Sequence, residues 1–72
     1  SDILNYQLGK VRETLDQYRH ARGRKIVFIH GKGEGVLRNV LLKEIRDKYK
    51  NCTCQDASFR EYGFGATMVT VH

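Results

Sequence analysis

The sequence predicts one small α/β domain of two layers, with helices packed over a sheet. Two stretches, residues 3–22 and 36–50, repeat apolar residues at the three- and four-residue spacing of a helix. Three others, residues 25–30, 52–57 and 66–71, read as strands by unbroken apolar runs or by alternation. The length completes the argument. A chain of 72 residues buries only about 60% of the surface it exposes unfolded, so two layers around one core is the most it can build.

Residues 3–22 place Leu4, Leu8, Val11, Leu15 and Tyr18 on one helix face. Asp2 suits the N-cap. Gly23 suits a left-handed residue past the end. Gly9 costs about 1 kcal/mol against alanine unless something packs closely on it. The stretch Arg19-His20-Ala21-Arg22-Gly23-Arg24-Lys25 has four Lys or Arg residues in seven. It is either a solvated helix end or a phosphate-contacting patch.

Lys25 to His30 reads as a strand. Its run Ile26-Val27-Phe28-Ile29 does not alternate, which predicts cover on both faces, as in a central or parallel strand. The turn Gly31-Lys32-Gly33-Glu34-Gly35 follows. Val36 to Lys50 is the second helix, with Leu37, Val40, Leu41, Ile45 and Tyr49 toward the core. Glu44 and Asp47 are interspersed with cations on the face read as solvated. Arg38 lies in the first turn, where a cation opposes the helix dipole. Its placement there implies an acidic neighbour or a bound phosphate.

Cys52 to Ala57 is a short strand, Ser58 to Gly65 a loop of glycines and aromatics, and Ala66 to Val71 the last strand. Met68 lies on one face of it, Val69 and Val71 on the other. The middle strand–helix–strand unit is expected to be a right-handed crossover joining parallel strands. The last two strands are expected to be antiparallel. No repeat, linker or low-complexity segment divides the chain, so residues 1–72 form one domain. The opening at Ser1-Asp2, so close to a helix start, reads as a module excised from a longer protein.

Composition excludes some functions. No run approaches the ~20 apolar residues of a membrane span, and the start has no signal-peptide pattern. No helix pairs a basic face with large exposed apolar residues, so a membrane partner is not expected. Cys52 and Cys54, two apart in a strand, share a face and cannot easily close a relaxed disulfide. His20, His30 and His72 show no metal-site spacing to them. Reduced cysteines fit a cytoplasmic protein. The net charge of +5 admits nucleic acid or an acidic protein as partner.

The glycine turn carries the chemistry. A strand ends, alternate glycines turn the backbone, and a helix begins with its free N–H groups aimed back at the turn. That arrangement suits an anion. It is not a phosphate loop of the Gly-x-x-x-x-Gly-Lys-Ser/Thr kind, nor the Gly-x-Gly-x-x-Gly dinucleotide fingerprint. His30 either closes the strand as a backbone partner or acts as acid, base or phosphate contact. Glu34, Glu61 and Asp56 are the candidate carboxylates near it, none fixed by spacing. Phe59, Arg60, Tyr62 and Phe64 either stack on bases and hold a backbone or plug the sheet edge. Gly63 and Gly65 keep that loop tight. If both glycine loops reach one edge of the sheet, they form one concave site.

Two segments resemble a known family. Ile29-His30-Gly31-Lys32-Gly33-Glu34-Gly35-Val36-Leu37-Arg38 is similar to the His-Gly-x-Gly-x-Gly…Leu-Arg segment of Smr domains, the small MutS-related module. Gly63-Phe64-Gly65-Ala66-Thr67-Met68-Val69 resembles that family's Gly-x-Gly-Ala-Thr-x-Val stretch. The resemblance covers roughly residues 3–72. It implies a two-layer sandwich like the C-terminal domain of bacterial translation initiation factor three. There the sheet is mixed, two helices cover one face, and the last strand is antiparallel between its neighbours.

The resemblance also implies nucleic-acid binding (DNA, branched or not, or RNA) and a link to MutS-like mismatch-repair or recombination proteins. In some members it implies nicking. His30, Gly31, Gly33 and Gly35 match the first motif, Gly63 and Gly65 the second. The expected contacts are Arg24, Lys25, Gly31, Lys32, Gly33, Gly35, Arg38, Arg60, Tyr62, Gly63, Phe64 and Gly65, with His30 as the candidate catalytic residue. No cofactor or metal site is evident, and a divalent metal enters only with nuclease activity. Many members open with a strand carrying Leu-Asp-Leu-His-Gly, and this sequence lacks it. Binding is therefore expected ahead of cutting. The alternative is a non-catalytic module docking an acidic protein through its basic face. Contacts with the rest of a parent protein are expected beside nucleic acid. A small phosphorylated ligand at the turn is disfavoured, because the groove of so short a chain would be shallow.

Overall fold

The computed structural model describes residues 2–30, 35–57 and 65–72. The order is α1 (Asp2–Gln17), β1 (Lys25–Ile29), α2 (Val36–Lys48), β2 (Cys52–Asp56) and β3 (Ala66–Val71). The predicted two-layer sandwich is present: two helices lie against one face of a three-stranded sheet ordered β1-β3-β2.

As the resemblance implied, the last strand runs antiparallel between its neighbours. Lys25 to Ile29 pair with Thr70 to Ala66, and Cys52 to Asp56 pair with Val71 to Thr67. β1 and β2 therefore point the same way without touching. The crossover through α2 does join strands of like direction, but it steps over the place that β3 fills.

Register decides which residues meet the helices. Alternate side chains of a strand share a face, so Ile26, Val69 and Cys54 form one cross-strand row beneath the helices. Val69, fully buried, sits in the core cluster with Val11, Leu15, Leu41, Ile45 and Tyr49, and Ile26, Phe28, Cys52 and Cys54 pack around it. Each fully buried aliphatic side chain contributes roughly 1.5–3 kcal/mol. The opposite face carries Lys25, Val27, Ile29, Thr53, Gln55, Met68 and Thr70.

Every pairing among the described strands is antiparallel, so the sheet is not the mixed one that the resemblance implied. Three further expectations change. α1 stops at Gln17 rather than near Arg22. The reason lies downstream: the Gly23 N–H donates to the Val71 carbonyl at 2.7 Å with φ +84. The chain must leave the helix early to reach β3 there. β1 is an edge strand, not a central one, and Ile29 is 57% exposed. Both helices cover the same face, so the run Ile26–Ile29 records apolar side chains on two faces of which the helices cover one. Finally, Glu44 is only 9% exposed. It bridges the helices, accepting from Arg12 Nε at 2.8 Å and Nη2 at 3.3 Å, with Lys48 Nζ at 3.2 Å. The bond from Arg12 holds its carboxyl below the usual carboxylate range, against the opposing effect of burial. Gly9, left open by the sequence, has nothing packed within 4 Å of where a Cβ would stand.

Candidate nucleic-acid interface

The residues bracketing the two glycine segments all lie at one end of the sheet. The His30 N–H donates to the Gly65 carbonyl at 3.0 Å, and the Ala57 N–H to the Ala66 carbonyl at 2.9 Å. Gly35, at φ +82, occupies the N-cap position of α2 without a side-chain cap. The left-handed backbone explains a glycine there. Its carbonyl accepts the Asn39 N–H at 2.9 Å, so the first helical turn is formed. The remaining first-turn amides form the positive end of the helix dipole.

Two side-chain contacts shape this end. His30 Nε2 lies 2.9 Å from Thr67 Oγ1, with the donor set by the ring's tautomer. Thr67 is completely buried, so the bond fixes one edge of a half-buried imidazole against the central strand. Arg38 donates through Nε and Nη2 to Asp56 Oδ1 at 3.1 and 3.0 Å. The cation that opposed the helix dipole thus has its acidic neighbour on β2, one of the two explanations its position called for. Asp56, a candidate carboxylate for His30, is engaged by Arg38.

Beside His30 an apolar groove of about 200 Å³ runs between α1 and the start of α2, lined by Tyr6, Val11, Phe28, Leu37 and Leu41. It is smaller than the roughly 300–1,000 Å³ of small-molecule sites. Lys10 stands 5.7 Å from the Tyr6 ring centre at its rim.

The geometry gathers His30, Gly35, Arg38 and Gly65 and sets Arg24 and Lys25 apart. Those two begin β1, whereas the glycine turn follows its end. At about 3.3 Å per residue, Arg24 lies roughly 20 Å from His30. Gly31, Lys32, Gly33, Arg60, Tyr62, Gly63 and Phe64 lie outside the described residues, as do Glu34, Phe59 and Glu61.

Sequence reasoning missed Thr67 as the partner of His30, and the Tyr6 groove. The Ala66-Thr67 pair inside the second motif was the available signal for Thr67, because a polar residue on the buried face of a strand needs a partner.

A model of the Smr domain family matches residues 7–72. The chain belongs to the Smr domain family. Searches of curated proteins and of solved structures return no match. Membership in the Smr family makes this chain one of a group of nucleic-acid-binding modules. Among the described residues no helix is long and apolar enough to cross a membrane. None of the described His, Cys, Asp and Glu side chains form a group of three able to hold a metal ion. Cys52 and Cys54 are free thiols, and burial pushes both above the usual thiol range.

Proposed function

We propose that this Smr domain binds nucleic acid along the end of its sheet that carries both glycine segments. The observation that supports it is the convergence of His30, Gly35 and Gly65 there, since those residues bracket both family motifs. The first turn of α2 offers backbone N–H groups to phosphate oxygens. Lys32 and Arg60 supply charge, and Tyr62 and Phe64 supply stacking surfaces for bases. Gly31, Gly33 and Gly63 let backbone amides approach without obstruction. Arg38 contributes less than a free cation would, because Asp56 already holds it.

The finer reading is a module of a MutS-related protein of repair or recombination, acting in the cytoplasm on DNA or RNA. In the full-length protein it would assist nicking, with His30 as the acid or base while Thr67 holds the ring. A second reading has support from α1. Tyr6, which lines the apolar groove, and Ile3 three residues before it on α1 are both exposed, a surface suited to the rest of a parent chain or to a protein partner.

Binding to single-stranded, branched and duplex probes across a salt series tests the proposal. Affinity should fall steeply as salt rises. Salt-independent binding, or none at low salt, would remove it. Where nicking is detectable, His30→Ala should abolish it with the fold intact, and unchanged nicking would clear His30 of that role.

A further inference from the structure

The end of the sheet opposite the glycine segments has its own charge pattern. Arg19, Arg22, Arg24, Lys25 and Lys50 are all exposed there. Hydrogen bonds tie the elements that carry them into one surface. The Asn51 Nδ2 donates to the Arg19 carbonyl at 2.9 Å, the His72 N–H to the Asn51 carbonyl at 2.8 Å, and the Val71 N–H to the Arg24 carbonyl at 2.9 Å.

None of these five cations has a carboxylate partner among the described residues. Lys10, Arg12, Arg38, Arg46 and Lys48 all do, and of the described cations elsewhere Lys43 alone shares the lack. The acidic groups nearest in sequence are engaged elsewhere: Asp16 accepts the Tyr49 hydroxyl at 2.8 Å, and Asp47 pairs with Arg46.

Aromatic rings seat two of the guanidiniums instead. Arg24 lies 4.3 Å from the centre of the Tyr18 ring, and Arg19 5.7 Å from that of Tyr49. A ring fixes a guanidinium without neutralising it, and leaves its N–H edge for another acceptor. Cations held in place and left without carboxylates match a row of phosphates. The path to the glycine end is also open to an anion. The sheet face turned from the helices carries Lys25, Thr70, Thr53 and Gln55 and no carboxylate among its described residues.

We propose that this end is a second contact for the phosphate backbone of the nucleic acid held at the glycine end, which lies along the helix-free sheet face. The proposal rests on the binding reading above. The ~20 Å between the ends corresponds to about six base pairs of duplex.

The test compares two variants with the wild-type chain on a DNA duplex of about twelve base pairs and an RNA strand of equal length. One is Arg22→Gln/Arg24→Gln/Lys50→Gln, the other Lys32→Gln/Arg60→Gln. The first variant should lower the slope of log affinity against log salt by about one per contact removed, on at least one probe, with an unchanged thermal transition. A slope and affinity equal to wild type would overturn the proposal while leaving the glycine-end reading standing. Binding weakened in the first variant but equal to wild type in the second would overturn the glycine-end reading and with it the second-contact proposal, making the basic end the primary contact. No binding by the wild-type chain at low salt would overturn both.

Discussion

The two ends of this sheet use positive charge in opposite ways. At the glycine end, Arg38 is bound to Asp56 and His30 to Thr67. At the basic end, guanidiniums rest on tyrosine rings with no carboxylate partner among the described residues. The net charge of +5 therefore says little about where an anion is drawn. A cation paired in the fold positions backbone, and a cation left without a carboxylate attracts phosphate. Among the described residues, the glycine end offers helix-terminal amides and a half-buried imidazole. The basic end offers field.

The largest effect should come from the core between the ends. Leu41 is buried beneath the groove and packs in the same cluster as Val69. Leu41→Ala should cost about 2–5 kcal/mol in urea unfolding, and the binding contributions of both ends should fall together. If only one end weakens, the ends are not coupled through this core.

A smaller change converts one end toward the other. Asp56→Asn should release Arg38 and strengthen binding several-fold at low salt. It should also steepen the salt slope by about one. An unchanged slope would mean that Arg38 is not within reach of the backbone.

The smallest effect concerns acid. Glu44 has a lowered carboxyl pKa in the folded chain through Arg12 first and Lys48 after it. A depressed folded value stabilises above the unfolded value of about 4.3, and that stability disappears as pH falls through the folded value. Glu44→Gln should therefore lose about 1 kcal/mol at neutral pH, the screened end of the range for such a bond. The difference from wild type should close on acidification, read by thermal melts across a pH series. Because Glu44 ties α1 to α2 away from both ends, neither salt slope should change.

Much of the fold was legible because period and turn chemistry agree. Leu8, Val11 and Leu15 announced the buried face of α1, and Met68 between Thr67 and Val69 gave the alternation of β3. β1 misled because a four-residue apolar run does not state how many faces are covered, and that depends on where the second helix packs. Glu44 misled because a charge at a solvated-looking helix position is buried only when a partner such as Arg12 arrives from another helix.

At the site, the type and spacing of His30, Gly31, Gly33 and Gly35 were readable as a motif. The partner of His30 was not, since Thr67 lies 37 residues away in sequence and only the β1–β3 register brings it near. Arg24 and Lys25 looked close to the glycine turn along the chain. A five-residue strand places them at the other end.

The most direct measurement of the central claim is an amide chemical-shift titration of the labelled domain with nucleic acid. The account predicts shifts at residues 31 to 38 and 59 to 65, with further shifts at Arg24 and Lys25 on the same titration. Shifts confined to the outer faces of α1 and α2 would contradict it and favour a protein-docking module.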